Sequence, residues 1–402
     1  MKGSKRHSFV YKFAQFIMTP VLKKKFNISF ENIKPGSSPY ILIANHVCNY
    51  DPLLVGLSFK QPMYFVASDH LFRMGLLSRL IIFLVSPIPR VKATTETKTV
   101  LNIFKRLKDG HNVCIFAEGN STFTGETGEI PKSIAKLAKR SGLTLITYRL
   151  RGGYFSFPRW SRNIRKGKMT GELAHEYSAE EMKNYTDDEL DELIKKDLYV
   201  NAYDDQKKEL IHYKGSVLAE NLETALYCCP SCRQFATLKS SDDRLFCSCG
   251  LNLRYTDTGY LEPFNETSSP NTVHPDFDYF NTITEWTSWQ LDMLNNLVSE
   301  IKLSDEDKVI FSDPGQTLLR TIRSIRNVPV VTGILSFYKD RLEISDGRGN
   351  DFVFSYADIQ DMSIIVQMNI VFSLKSGETY EIHSSFPRSA LKYLQLYKEL
   401  TR

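Results

Sequence analysis

Over the first half of the chain, short and almost fully apolar runs alternate with longer segments of helical period. Ile28–Phe30, Ile41–Ala44, Met63–Ala67, Val113–Ala117 and Leu143–Tyr148 have the length and composition of buried strands. Between them, Val100 to Lys108 and Ser133 to Ser141 repeat their apolar positions as helices do. Strands alternating with helices predict an α/β domain with a mixed sheet and flanking helices. Residues 174–220 read as surface helices, because Ser178-Ala-Glu-Glu and Thr186-Asp-Asp-Glu have the form of capping boxes.

The second half has a different rhythm. A polar stretch over 263–275 precedes a helix-like segment from Thr282 to Leu303 that carries Trp286 and Trp289. Eight short strands are then predicted: Val309–Phe311, Leu318–Ile322, Ile334–Tyr338, Arg341–Ile344, Phe352–Ser355, Met362–Val366, Ile370–Leu374 and Thr379–Ile382. Turn residues such as Asp346-Gly347 and Ser376-Gly377 separate them, and the chain ends in a helix whose apolar face is Tyr393, Leu396, Tyr397 and Leu400. This element order resembles a pleckstrin-homology-like β-barrel or sandwich closed by a helix. The implied units are a membrane-associating helix (1–25), an α/β domain (26–220), a small cysteine module (226–256), a linker and helix (257–304) and a β domain (305–402). At 402 residues the chain has room for two or three cores, and its 42% hydrophobic and 24% charged composition is that of a folded chain.

Charge is distributed unevenly beneath a net value of only +5. Residues 1–25 hold seven Lys/Arg and no carboxylate, and residues 130–171 hold eleven and again none. Residues 172–209 reverse the balance with thirteen Asp/Glu against five Lys. The basic stretches show no recognition helix or stacking platform, which argues against nucleic acid and for an anionic membrane surface. No window supplies the roughly 18–20 uninterrupted apolar residues of a spanning helix. Attachment is therefore expected to be peripheral, at the cytoplasmic face of the cell membrane, through the interfacial helix around Phe9–Met18. Its apolar stretch is interrupted by Lys12 and Gln15 and lacks a small-residue cleavage site, unlike a secretory signal. A second apolar segment, Met74–Val85, reads as a core helix, an acyl-chain groove or a membrane-lying element.

Candidate chemistry begins directly after the Ile41–Ala44 strand, in Asn45-His-Val-Cys-Asn-Tyr-Asp-Pro52. On one continuous helix His46 and Asp51 would diverge by roughly 140°, so they meet only if the chain turns between them. Pro52 suits a first helical position and Asp51 an N-cap. The pair is thus open to two readings: a base oriented by a carboxylate, or a helix cap beside a satisfied strand-end histidine. Two further segments bear on the choice. Glu118-Gly-Asn-Ser121 follows the 113–117 strand and offers backbone N–H groups and a hydroxyl to a phosphate. Pro87-Ile-Pro-Arg-Val-Lys92 places Arg90 and Lys92 beside a strand-like segment, as cations suited to an anion.

In this order the three segments resemble the glycerophospholipid acyltransferase family, whose best-known members are the 1-acyl-sn-glycerol-3-phosphate acyltransferases (PlsC-like). His46 and Asp51 match its His-x4-Asp motif, Ile88–Lys92 its second block, and Phe116-Ala-Glu-Gly-Asn-Ser121 its Phe-Pro-Glu-Gly block. Ala117 and Asn120 depart from the usual proline and threonine, and Leu143-Thr-Leu-Ile-Thr-Tyr-Arg149 has threonines where a Val-Pro is usual. The resemblance implies an α/β acyltransferase domain that moves a fatty acyl group from acyl-CoA or acyl-carrier protein to the free hydroxyl of 1-acyl-sn-glycerol-3-phosphate, giving phosphatidate. In it His46 would be the general base and Asp51 its orienting carboxylate. Arg90 or Lys92, with Glu118, Gly119, Asn120 and Ser121, would contact the acceptor, and no catalytic cofactor is required. Cys48 is better suited to fill space than to attack as a thiolate.

Separate from that chemistry, Cys229-Pro-Ser-Cys232 and Cys247-Ser-Cys249 have the spacing of a zinc ribbon. Cys229, Cys232, Cys247 and Cys249 would close a tetrahedral structural Zn2+ site, with Cys228 as the neighbouring alternative to Cys229 and a disulfide pair as the rival use. The expectation is a catalytic half cleanly separated from a zinc-stabilised docking half whose protein partner is unknown. The competing functional class is a membrane-docked adaptor in which the second half recruits a protein and the first binds lipid only.

Overall fold

The computed structural model describes residues 2–68, 71, 76–90, 97–264, 279–322 and 326–402. Its first layer is a seven-stranded sheet of β1 (Ile28–Phe30), β2 (Tyr40–Ala44), β3 (Met63–Ser68), β4 (Ile88–Arg90), β5 (Asn112–Phe116), β6 (Thr144–Arg151) and β7 (Met169–Tyr177), in the order β1-β7-β6-β2-β5-β3-β4. All pairings are parallel except β6 with β7. Helices α1 (Lys2–Phe26) and α2 (Asp51–Ser58) pack on one face, and α3 (Leu76–Val85) contacts α1. On the other face lie α4 (Thr97–Lys108) and α5 (Ser133–Ser141). The alternation of β2 divides the two cores: Tyr40, Leu42 and Ala44 join the α1/α2 side, and Ile41 and Ile43 the α4/α5 side. A strand buried on both faces reads as one apolar run.

After β6 the chain forms the short helix α6 (Gly153–Ser156) and, beyond β7, α7 (Ala179–Lys183), α8 (Asp187–Leu198) and α9 (Ala202–Lys208). Ser178 and Thr186 cap α7 and α8, Thr186 in a complete capping box with Glu189. Strand β7 was not expected; its burial keeps no strict alternation beyond Gly171, and its mixture of Glu, His and Thr hides the period of an edge-proximal strand.

The cysteine module is a four-stranded antiparallel sheet of β8 (Leu238–Ser241), β9 (Arg244–Cys247), β10 (Asn252–Tyr255) and β11 (Leu261–Pro263). Helix α10 (Ile283–Leu303) is clamped to it: Trp286 Nε1 donates to the Cys228 carbonyl at 2.9 Å, and Gln290 bonds both Tyr227 N and the Ala225 carbonyl. The C-terminal sheet comprises β12 (Phe311–Ile322), β13 (Arg326–Phe337), β14 (Arg341–Ser345), β15 (Asp351–Ser355), β16 (Ile359–Ile365), β17 (Asn369–Leu374) and β18 (Thr379–Ser384), in the order β15-β14-β13-β12-β18-β17-β16. Helix α11 (Ala390–Thr401) packs against β16 and β17. Two of the expected strands are one: Pro314-Gly315, which reads as a turn, is a bulge inside β12, with the register shifting between Asp313 and Gln316 and Gly315 at φ +65°.

The anticipated clean division into two halves is not what the packing shows. A continuous apolar core joins Phe123, Tyr154 and Trp160 of the α/β layer to Cys229, Leu245 and Tyr255 of the cysteine module, and on to Trp286, Leu318, Phe337 and Tyr393. The aromatic residues that make this connection are scattered singly through the sequence and carry no period. The expected polar stretch over 263–275 lies largely outside the described residues.

Candidate active site

Strand β2 ends at Ala44 and its successor Asn45 fixes the exit, donating from Nδ2 to the Leu150 carbonyl at 2.9 Å and accepting from Leu150 N at 2.8 Å. The chain then turns, as the spacing of His46 and Asp51 requires. Nδ1 of His46 lies 2.8 Å from Oδ2 of Asp51. Asp51 is fully buried, and its Oδ2 also accepts from the backbone N–H groups of Val47 (2.7 Å) and Cys48 (2.9 Å). Asp51 is therefore the first residue of α2 rather than its cap, a place taken by Tyr50 without a side-chain bond. Its carboxylate folds back to organise the turn instead of forward onto the helix.

With Nδ1 engaged by a carboxylate, Nε2 is the ring nitrogen left for chemistry. The imidazole stacks on Phe116 with centroids 4.6 Å apart. Cys48 is buried and directs Sγ at Asp51 Oδ1, 3.3 Å away; burial and then the Asp51 charge push its thiol well above the usual range, which keeps it protonated and poorly nucleophilic.

His46 lines a cleft of about 580 Å³. Its lining is apolar at Val66, Val100, Ile103, Ile134 and Leu137, and polar or charged at Arg90, Asn120 and Ser121, with Gly119 beside them. Gly119 adopts φ +69°, and a Cβ there would fall 2.0 Å from Nη1 of Arg90. Only glycine lets the loop take this shape with the guanidinium lying against it. Lys92 lies outside the described residues.

Glu118 is placed differently from its neighbours and is not among the cleft-lining residues. Its Oε1 accepts the His46 N–H at 2.6 Å and its Oε2 the Gly128 N–H at 2.7 Å, so it ties two loops together. Burial pushes its carboxyl up to about 7 despite those two donors. Thr122 N completes the connection by donating to the His46 carbonyl at 3.0 Å.

Arg159 was not anticipated. It lies half-buried beside the loop, donating from Nη1 to the Ser121 carbonyl (3.1 Å) and from Nη2 to Asn120 Oδ1 (3.4 Å), with its guanidinium over the Phe123 ring. Burial pulls it down to about 9, with Glu118 opposing the shift. In sequence it is one of eleven cations between 130 and 171, with nothing to mark it.

Away from the cleft, Cys229, Cys232, Cys247 and Cys249 converge, with all four sulfurs within 4.8 Å of one another. Sγ of Cys229 and Cys249 are 3.7 Å apart, and Sγ of Cys232 and Cys247 3.8 Å. A tetrahedron with Zn–S bonds of about 2.3 Å has edges of about 3.8 Å, whereas a disulfide requires about 2.05 Å. The geometry thus fits a metal and not a disulfide, and Cys228 stands outside the cluster.

Residues 25–151 match the family described as Acyltransferase. More particularly it is similar to 1-acyl-sn-glycerol-3-phosphate acyltransferases. A protein of that name from Borreliella burgdorferi is 28% identical over 121 residues, which is 29% of this chain and 46% of that one. The chain thus spans about half the length of this curated relative. A solved structure of the 1-acyl-sn-glycerophosphate (LPA) acyltransferase PlsC from Thermotoga maritima is 17% identical, with TM-score 0.41 over 48% of this chain and 79% of that one.

Proposed function

We propose that the chain is a membrane-associated acyltransferase that acylates the free hydroxyl of 1-acyl-sn-glycerol-3-phosphate from an acyl thioester, acyl-CoA or acyl-carrier protein. The observation that carries this reading is the His46–Asp51 pair at 2.8 Å, with His46 lining a cleft whose other lining is largely apolar and includes Arg90 and Arg159. The acceptor oxygen attacks the thioester carbonyl while His46 Nε2 takes its proton. Collapse of the tetrahedral intermediate forms the ester and expels the carrier thiolate, which recovers that proton from His46. Asp51 stabilises the imidazolium between the two steps. The apolar lining residues suit the acyl chain, and Arg90 with Gly119, Asn120 and Ser121 suits the acceptor phosphate. Glu118 acts through His46 as a positioning residue.

The chain binds the membrane peripherally, at a cytoplasmic leaflet with anionic headgroups. Among the described residues no helix is long and apolar enough to cross a membrane. Helix α1 buries Tyr11, Leu22 and Phe26 and holds the end of α2 through Tyr11 and Gln15, which both donate to the Gly56 and Phe59 carbonyls. Its other side exposes Phe9, Phe13, Phe16, Ile17 and Val21 next to Ile82 and Phe83 of α3. An apolar face of this kind beside Lys23–Lys25 suits an anionic interface. The four thiols hold one structural Zn2+ that closes the ribbon over 226–256, and the sheet with α11 over 305–402 forms a pleckstrin-homology-like domain.

One experiment tests the main reading. Purified protein is mixed with anionic liposomes containing lysophosphatidate and a labelled acyl thioester. The wild type is expected to form phosphatidate, His46→Ala to bind liposomes without turnover, and Phe9→Ser/Phe13→Ser/Phe16→Ser to lose liposome binding. Phosphatidate formation by His46→Ala at a rate near wild type refutes the mechanism, and undiminished liposome binding by the triple variant refutes the membrane face.

A further inference from the structure

The turn between β16 and β17 reaches into the cleft from the far end of the chain. Ile365 and Val366 line the same cleft as His46, together with Arg159, Asn120 and Ser121. Arg159 is the joint: Nη2 donates to the Ile364 carbonyl at 3.0 Å and Nε to the Val366 carbonyl at 3.2 Å, while its other bonds hold Asn120 and Ser121. Gln367 adds a second tie, donating from Nε2 to the Ser161 carbonyl at 2.6 Å.

The backbone of the turn is itself unusual. Val366 sits at φ +56°, a left-handed conformation that a β-branched residue adopts only under constraint. Such strain persists where the surroundings over-determine it, and it concentrates at functional sites. Here the bonds from Arg159 and Gln367 supply the constraint, and the result is an isopropyl group about half exposed at the cleft. Ile365 and Val366 bring shape and no charge. Through Arg159 they are tied to Asn120 and Ser121, the part of the cleft lining assigned above to the acceptor.

We infer that this turn, pinned by Arg159 and Gln367, is the acceptor-headgroup wall of the active site, with Val366 as the specificity-determining residue that admits a phosphate monoester and excludes phosphodiester headgroups. The inference rests on the proposed acyl transfer and extends it: the C-terminal sheet is part of the catalytic unit and not only a docking module. Arg159 is a positioning residue, since four of its five N–H donors are directed at the Asn120–Ser121 loop and at the turn.

The test compares full-length wild type, Val366→Gly and Val366→Phe on lysophosphatidate, lysophosphatidylglycerol and lysophosphatidylethanolamine in the same liposomes. Val366→Gly, which removes the side chain and relaxes the positive φ, is expected to raise kcat/KM for the two phosphodiester acceptors relative to lysophosphatidate at least fivefold. Val366→Phe is expected to raise KM for lysophosphatidate more than it lowers kcat. Acceptor ratios within twofold of wild type in both variants overturn the inference while leaving the acyl transfer intact. A wild type that acylates none of the three acceptors overturns the parent reading, and this one with it.

Discussion

The two sides of the cleft are assembled from very different distances along the chain. His46 and Asp51 are five residues apart and meet inside one turn, whose backbone N–H groups converge on the same carboxylate oxygen that holds the imidazole. Arg159 and Val366 are 207 residues apart and meet only because a continuous core joins the α/β layer, the cysteine module and the C-terminal sheet. The local side carries the proposed proton transfer, and the assembled side carries the shape of the opening. Damage to the long-range assembly should therefore alter which acceptor fits before it disables the base, whereas damage to the turn should do the reverse.

The largest expected effect comes from removing what holds the assembled side together. Cys229 and Cys247 belong both to the thiol cluster and to the continuous core. Structural zinc contributes on the order of 10 kcal/mol in isolated zinc-finger peptides, and several kcal/mol is expected here, where packing retains part of the module. Metal analysis should find one Zn2+ per chain, and Cys229→Ser/Cys247→Ser should lower the unfolding midpoint sharply and loosen acceptor preference. Metal-free wild type with an unchanged midpoint would show that packing alone joins the two sides.

Next in size is the local side. In Asp51→Asn the three donors aimed at one oxygen, His46 Nδ1, Val47 N and Cys48 N, keep the amide carbonyl in that position. The histidine tautomer is then preserved and only the charge opposite the imidazolium is lost. A roughly 10²–10³-fold fall in kcat/KM is expected, less than the approximately 10⁴ seen where the same change in a serine protease also reverses the tautomer. Retention of activity within tenfold would mean that His46 does not become cationic during transfer.

This asymmetry also decides what could be read from the residues. Most strands of the first sheet, the capped helices α7 and α8 and the His46–Asp51 turn were legible because each is specified by neighbours: an apolar run, a capping residue, a spacing that a straight helix cannot close, although the proline after Asp51 pointed to a cap that Tyr50 takes instead. The role of Glu118 was not, because its partners are backbone N–H groups of His46 and Gly128, which carry no side-chain signature. Arg159 was hidden for a different reason. A half-buried, hydrogen-bonded cation and a solvated one look alike in a basic stretch, and only the fold brings Phe123, Ser121 and the Ile364 and Val366 carbonyls around it. Strand β7 and the bulge at Pro314-Gly315 were obscured by residues whose local preferences the tertiary pairing overrides.

The smallest effect falls on the residue that links the two sides. Glu118 bonds His46 N directly and faces the charge of Arg159, and its carboxyl is raised to about 7 by burial. A carboxyl whose folded value lies above its unfolded value of about 4.3 binds more protons when folded. Its contribution to stability is full below the unfolded value and declines as pH rises toward 7, the reverse of a salt-bridged carboxylate. Between pH 5 and 7 the wild type should lose on the order of 1–3 kcal/mol through this group. Glu118→Gln cannot titrate, so the difference in urea midpoint between pH 5 and 7 should shrink in the variant. It should also be less stable at pH 7, because an amide presents one carbonyl oxygen where His46 N and Gly128 N each have a carboxylate oxygen in the wild type. A pH dependence identical in variant and wild type would mean that Glu118 is ionised throughout, with Arg159 and the two N–H groups outweighing burial, and the link between the two sides would then be an ion pair rather than a neutral acid.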